Sequence, residues 1–358
     1  MPIDPRPAVL QTALDAHGSA QARELEALGL DPTRLVDFSS NINPYGPAPE
    51  VIAAVHRTEF AAYPDPDCLA LRRVLADQHE LEMEQIMAGN GTAELIWLLA
   101  FAFLSPTDRV LVVGPTFGEY ARAAALMGAL VDEVRADSAD NFVVDVAAVD
   151  ASLQRDPKLC FLCNPNNPTG VVMPLEQIDE WAKRSPQTLF MIDEAYIDFV
   201  PEMHSALTLC AENVLVLRSL TKTHALAGLR IGYALGSKKV IHALRQVQPP
   251  WSVNALAQAA GVAAIGATEF VRKSLGRLAR DAAELRTALT MIGYEPVAGE
   301  TPYFLIDVGD GTAVRSRLLE QELMVRDCAS FGLPQYVRVS AQLVEQNVSL
   351  MKALRRRS

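Results

Sequence analysis

Five short apolar runs, continuous rather than alternating, constrain this chain more than any other feature. They are VLVV (110–113), LCFLC (159–163), LFMID (189–193), VLVLR (214–218) and IGYAL (231–235). A strand with one wet face alternates polar and apolar residues, whereas a strand covered on both faces by crossover helices does not. Amphipathic stretches of helical length separate the runs, so the expected architecture is α/β with a mainly parallel sheet. With 358 residues the chain exceeds what one core usually fills. A large α/β domain is expected over 50–250. The Pro-rich start, 1–49, is expected to join 251–358 in a smaller α+β domain. There a long helical stretch to about residue 293 precedes strand-like TPYFLIDV and QYVRVS, which flank a helix over 315–321.

In open α/β sheets, ligands bind outside the carboxyl ends of the strands. VLVV runs into Gly114-Pro115-Thr116-Phe117, LCFLC into NPNNPTG (164–170), LFMID into Asp193-Glu194-Ala195-Tyr196, and VLVLR into Ser219-Leu220-Thr221-Lys222. Four strands therefore deliver Phe, Asn, Asp, Tyr, Ser, Thr and Lys to one edge, which is a polar ligand site.

Lys222, with Ser219, Thr221 and Arg230 near it in sequence, suits an aldehyde cofactor held as an imine beside its phosphate. Arg matches phosphate geometry. Asp193 either caps a following helix or pairs with a protonated pyridine nitrogen. Tyr196 and Asn167 could hydrogen-bond the ring's phenolic oxygen, and Phe117 could either stack on the ring or pack in the core. Gly91, Thr92 and Ala93 open the apolar helix 95–103, and free N–H groups at such a start favour phosphate.

NPNNPTG, DEAYIDF and SLTKTHALAGLRIGY, in that order, resemble the fold-type I pyridoxal-phosphate enzymes of the aminotransferase class I/II branch, over nearly the whole chain. The resemblance implies pyridoxal 5'-phosphate bound through Lys222, with Asp193 on the pyridine nitrogen and Asn167 and Tyr196 on the phenolic oxygen. Gly91, Thr92, Ser219, Thr221 and Arg230 would hold the phosphate. Tyr63, in AAYPDPD, looks like the tyrosine that reaches the neighbouring subunit's phosphate, which implies a homodimer. Within the branch, His17-Gly18, DFSSNINPYGP (37–47), PPWSVNALA (249–257) and VRDCASFG (325–332) resemble threonine-phosphate decarboxylases of cobalamin biosynthesis. Histidinol-phosphate aminotransferases share the central motifs. The expectation is decarboxylation of L-threonine O-3-phosphate to (R)-1-aminopropan-2-yl phosphate, with amino transfer from histidinol phosphate or a related amino acid as the alternative. Arg326 and Arg338 would bind the substrate carboxylate, and His17, Gly18, Asn41 and Asn167 the rest of the substrate. Ser19 and Thr223 depart from the decarboxylase pattern, where a second glycine and an aromatic are usual.

A net charge of -11 argues against nucleic acid or an anionic membrane as partner, while a local cluster of Arg still allows a small anionic substrate; the resemblance implies a small phosphorylated amino acid. The start, MPIDPRPAVL, lacks the pattern of a signal peptide, and the longest apolar run, 93–104, falls short of the ~20 residues that span a bilayer. Five scattered cysteines suggest a reducing cytoplasm without disulfides, and six histidines show no metal-ligand spacing. Cys160 and Cys163 form a C-x-x-C, but three apart on a strand they face opposite ways.

Overall fold

The fold is taken from a computed structural model that describes residues 3–12 and 22–355. In chain order its strands are β1 (Val36–Asp37), β2 (Ile86–Gly89), β3 (Arg109–Gly114), β4 (Leu130–Arg135), β5 (Leu159–Cys163), β6 (Leu189–Asp193), β7 (Val214–Ser219) and β8 (Gly232–Gly236). There follow β9 (Tyr303–Asp307), β10 (Leu323–Met324), β11 (Arg326–Asp327) and β12 (Tyr336–Ser340). The larger sheet has the order β2-β8-β7-β6-β5-β3-β4. β5 and β6 are buried at every position, as their unbroken apolar runs require. Cys160 and Cys163 fall in separate core clusters, one on each face of this sheet.

The run 231–235 departs from the expected parallel arrangement. β8 is antiparallel to both neighbours, β7 and β2. The reason lies in its connection: residues 220–231 carry only the short 3₁₀ turn Ala227–Leu229, and parallel strands need a longer crossover. Strands β3, β5, β6 and β7 are parallel neighbours, so their carboxyl ends do share one edge. The antiparallel pairing of Gly89 with Gly232 brings the end of β2, and the helix Gly91–Phe103 that follows, to the same edge.

The smaller sheet is antiparallel, in the order β11-β12-β9, with Arg326 opposite Arg338. The helix beside it runs over Gly311–Leu319, about a turn earlier than expected, because Asp310 caps it by accepting from the Ala313 N–H at 2.9 Å. β1 pairs in parallel with β10, which ties the N-terminal segment to this part of the chain. We propose the two-domain division on this basis, with one adjustment. The helix Ala255–Gly266 buries Ala257, Ala260 and Ala264 with Leu71 and Leu75 in the cluster beneath the larger sheet. It therefore groups with the larger domain.

Candidate active site

The shared strand edge opens on a cavity of about 430 Å³. Its walls include Asn41, Thr92, Ala93, Phe117, Asn167, Asp193, Tyr196, Ser219, Thr221, Lys222, Arg230, Arg326 and Arg338, all expected from sequence. Gly91 lies just behind this wall, against Arg230. Tyr63 does not line it: it is 80% exposed and stacks on Trp251 at 4.5 Å between centroids. His17 and Gly18 lie outside the described residues.

Asp193 ends β6 and begins no helix, so the capping alternative falls away. Its Oδ2 accepts from the Tyr120 hydroxyl at 2.7 Å and its Oδ1 from the Ala195 N–H at 3.0 Å. Burial pushes the carboxyl up, while the Tyr120 and Ala195 hydrogen bonds and the nearby Lys222 charge pull it back toward the carboxylate. Tyr120 was not expected from sequence. It is the second residue of the helix Glu119–Leu126, three positions after Phe117, and its ring stacks on Phe161 at 5.4 Å and meets Phe117 edge-on at 5.6 Å. An aromatic three residues beyond the Phe117 turn was the available signal.

Lys222 sits in the loop between β7 and β8. Its backbone carbonyl accepts from the Asn43 N–H at 3.0 Å, and Asn43 Nδ2 also donates to the Thr223 carbonyl and to Ser274 Oγ. The N-terminal segment thus holds the lysine loop in place. The Lys222 ammonium lies 5.9 Å from the Tyr196 ring centre. Burial, then the charges of Arg338 and Arg230, pull its pKa down to about 8 from the ordinary 10.5, against Asp193 and Asp37.

At the end expected to take the phosphate, Ser219 Oγ and Thr221 Oγ1 are 2.7 Å apart, and the Thr221 N–H donates to Ser219 Oγ at 3.2 Å. Gly91 has φ +75°, and a Cβ there would run into the Arg230 guanidinium. Only glycine allows that approach at the start of a helix whose N–H groups face the cavity. At the other end Arg338, buried on β12, donates through Nη1 to Asn167 Oδ1 and through Nη2 to the Ser39 carbonyl. Its Nε is buried without a hydrogen-bond partner. Arg326 Nη2 donates to Ser330 Oγ at 2.7 Å, and its guanidinium lies 5.3 Å from the Phe331 ring centre. Ser39, Ser40, Cys163, Ser330 and Phe331 also line the cavity and were not singled out from sequence.

Among the described residues no group of three or more His, Cys, Asp or Glu could hold a metal ion, and no helix is long and apolar enough to cross a membrane.

A doubly covered sheet whose strand ends converge on a partly buried lysine, an aspartate and two arginines defines a fold-type I pyridoxal-phosphate enzyme. Residues 33–353 match the family model described as aminotransferase class I and II, and the chain belongs to that family. It is 37% identical over 327 residues to a histidinol-phosphate aminotransferase of Symbiobacterium thermophilum, covering 90% of each chain. A histidinol-phosphate aminotransferase of Moorella thermoacetica is 34% identical, over 90% of this chain and 85% of that protein. The crystal structure of the histidinol-phosphate aminotransferase of Sinorhizobium meliloti, in complex with pyridoxal-5'-phosphate, superposes with a TM-score of 0.88. It covers 98% of this chain and 96% of that one, and at 21% identity it supports the fold.

These relatives overturn the expectation of a threonine-phosphate decarboxylase: the proteins that match across nine-tenths of the chain are named for amino transfer. Of the motifs that favoured decarboxylation, 37–47 and 325–332 reach the cavity through Ser39, Ser40, Asn41, Arg326, Ser330 and Phe331, 249–257 does not line it, and His17-Gly18 lies outside the described residues.

Pyridoxal 5'-phosphate is the cofactor of this family, and the residues fit it. The Gly91–Arg230 approach leaves a cradle that any side chain would fill, and the buried Asp193 carboxylate suits a protonated ring nitrogen.

Proposed function

We propose that this chain is a pyridoxal-phosphate-dependent aminotransferase that takes the amino group from histidinol phosphate, or a close phosphorylated analogue, and passes it to a 2-oxo acid. The observation that carries this reading is one cavity holding a partly buried lysine of lowered pKa, a buried carboxylate and two arginines. Pyridoxal phosphate supplies an electron sink through which an amino group is exchanged for a carbonyl.

The chain's own residues divide the remaining work. Lys222 Nζ, with its pKa near 8, can give up and regain a proton close to neutral pH, as an acid–base group must. Asp193, whose ionised form the Tyr120 and Ala195 hydrogen bonds favour against burial, would hold positive charge on the ring nitrogen. Asn167 and Tyr196 face the phenolic oxygen, and Phe117 covers the ring. Gly91, Thr92, Ala93, Ser219, Thr221 and Arg230 hold the cofactor phosphate. Arg338 and Arg326 bind the anionic ends of the two substrates in turn: the phosphate of the donor and the carboxylates of the acceptor. Asn41, buried with neither amide atom hydrogen-bonded, lines the same end.

We place Tyr63 in the site of a second copy, because Phe60, Tyr63 and Trp251 are exposed aromatics outside their own chain's cavity. All five cysteines are free, in keeping with a reducing compartment such as the cytoplasm.

The test is to add pyridoxal phosphate to the purified protein, then follow glutamate formation from 2-oxoglutarate with histidinol phosphate as donor. A visible absorption band and glutamate release are expected. A band without glutamate, while another amino donor such as aspartate reacts, rejects the substrate. A colourless protein rejects the whole reading.

A further inference from the structure

We infer that Arg135, at the end of the edge strand β4, is a positioning residue that sets where Arg326 stands over the site. This rests on the proposed role of Arg326 as an anion-binding group.

Arg135 belongs to the larger sheet, yet its Nη2 donates to the backbone carbonyl of Phe331, in the turn that follows β11. Its Nη1 donates to Glu133 Oε1 at 2.6 Å, so the guanidinium is held from both sides. Two glycines make room for this chain of contacts. A Cβ at Gly114, the residue paired with Arg135 across β3 and β4, would collide with the Glu133 carboxylate. A Cβ at Gly332 would press on Arg135 Nη2 at 2.8 Å, and Gly332 has φ +72°. The path from Glu133 through Arg135 to Phe331 thus depends on the absence of side chains at both ends.

The turn it grips carries much of the cavity's mouth. Arg326, Ser330 and Phe331 all line the cavity, Ser330 Oγ accepts from Arg326, and the Phe331 ring lies under its guanidinium. Asp193 and Lys222 are carried by the larger sheet and Arg326 by the smaller one. Arg135 is the side chain through which the larger sheet holds the Phe331 carbonyl, and so fixes the span between Lys222 and Arg326. Because Arg326 meets the remote, unreacting end of a substrate, losing that span weakens ground-state and transition-state binding alike. That raises KM and leaves kcat in place.

The experiment compares Arg135→Met and Arg135→Lys with Arg326→Met and the double variant Arg135→Met/Arg326→Met, in the holoenzyme. Arg135→Met should raise KM for the phosphorylated donor about tenfold, the loss of one charge-assisted hydrogen bond, with kcat within about twofold. Arg135→Lys should recover part of the loss. In the Arg326→Met background, Arg135→Met should add little, because its effect runs through Arg326. Full additivity of the two changes overturns the proposal, as does an Arg135→Met enzyme with unchanged KM or with kcat and cofactor affinity lost together. If Arg326→Met itself leaves KM unaltered, the assignment of Arg326 fails, and the role of Arg135 with it.

Discussion

Removing one oxygen atom, by Tyr120→Phe, tests how the site keeps Asp193 charged. The Tyr120 ring is buried, stacked on Phe161 and edge-on to Phe117, and phenylalanine preserves all of that packing. What disappears is the 2.7 Å hydrogen bond to Asp193 Oδ2, leaving the Ala195 N–H as the other donor. A hydrogen bond to a charged acceptor contributes about 1.5–3 kcal/mol, and 1.4 kcal/mol is a factor of ten. Burial already pushes the Asp193 carboxyl up, and the Tyr120 hydrogen bond is the leading influence that opposes it. Its loss therefore moves the carboxyl further up, so more of the enzyme carries a neutral Asp193 at a given pH. Affinity for pyridoxal phosphate should fall about tenfold or more near neutral pH, with a smaller deficit as pH rises and Asp193 ionises again. The acid limb of kcat/KM should move to higher pH in step. A fluorescence titration of the apoenzyme with pyridoxal phosphate across pH 6–9 measures the first effect, and a pH–rate profile the second. Affinity within twofold of the parent's throughout that range refutes the role given to Tyr120.

Two further outcomes are expected. Lys222→Met should abolish the visible band and, in the apoenzyme, raise thermal stability at pH 7. The folded pKa near 8 lies below the unfolded 10.5, so burying the ammonium costs about 3 kcal/mol below pH 8, where both states are protonated. Between pH 8 and 10.5 the unfolded chain binds the extra proton and the parent gains stability as pH rises. The variant's advantage should therefore close by about pH 10.5 in a series of melting curves, and an advantage that persists there contradicts the assignment. Gly91→Ala forces a side chain into φ +75° and against Arg230, a strain of about 1–2 kcal/mol. It should weaken binding of pyridoxal phosphate far more than that of unphosphorylated pyridoxal. An equal loss for both would place Gly91 away from the phosphate.

The half of the site built on strand ends was legible because one local pattern fixes it. A doubly covered parallel strand is an unbroken apolar run, and the residue that ends the run must emerge at the ligand edge, as Asp193 and Asn164 do. Lys222 followed from the same logic, although the reversed direction of β8 did not: IGYAL reads the same in either orientation. The other half depends on contacts between distant residues. Arg338 meets the Ser39 carbonyl across 299 positions, and Asn43 reaches Ser274 across 231, with no local period to announce them. No local pattern marks Arg135 either, since its partner Phe331 lies 196 positions away. The reaction itself was the poorest inference, since Lys222 and Asp193 serve either bond cleavage.

The parallel pairing of β1 with β10 also bears on how the molecule is made. Phe38 takes its backbone partners from Met324 and Ser340, and Ser39 takes one from Arg338. At ~5–20 residues per second, a ribosome needs on the order of 15–60 s to pass from Asp37 to Met324. Once Gly236 has been made, well before Met324, the larger sheet has all of its strands, while Phe38 and Ser39 still wait for their partners. Nascent chains should therefore gain the lysine's wall early and the Arg338 wall only after Ser340 has been made, so the substrate grip forms after the cofactor's seat.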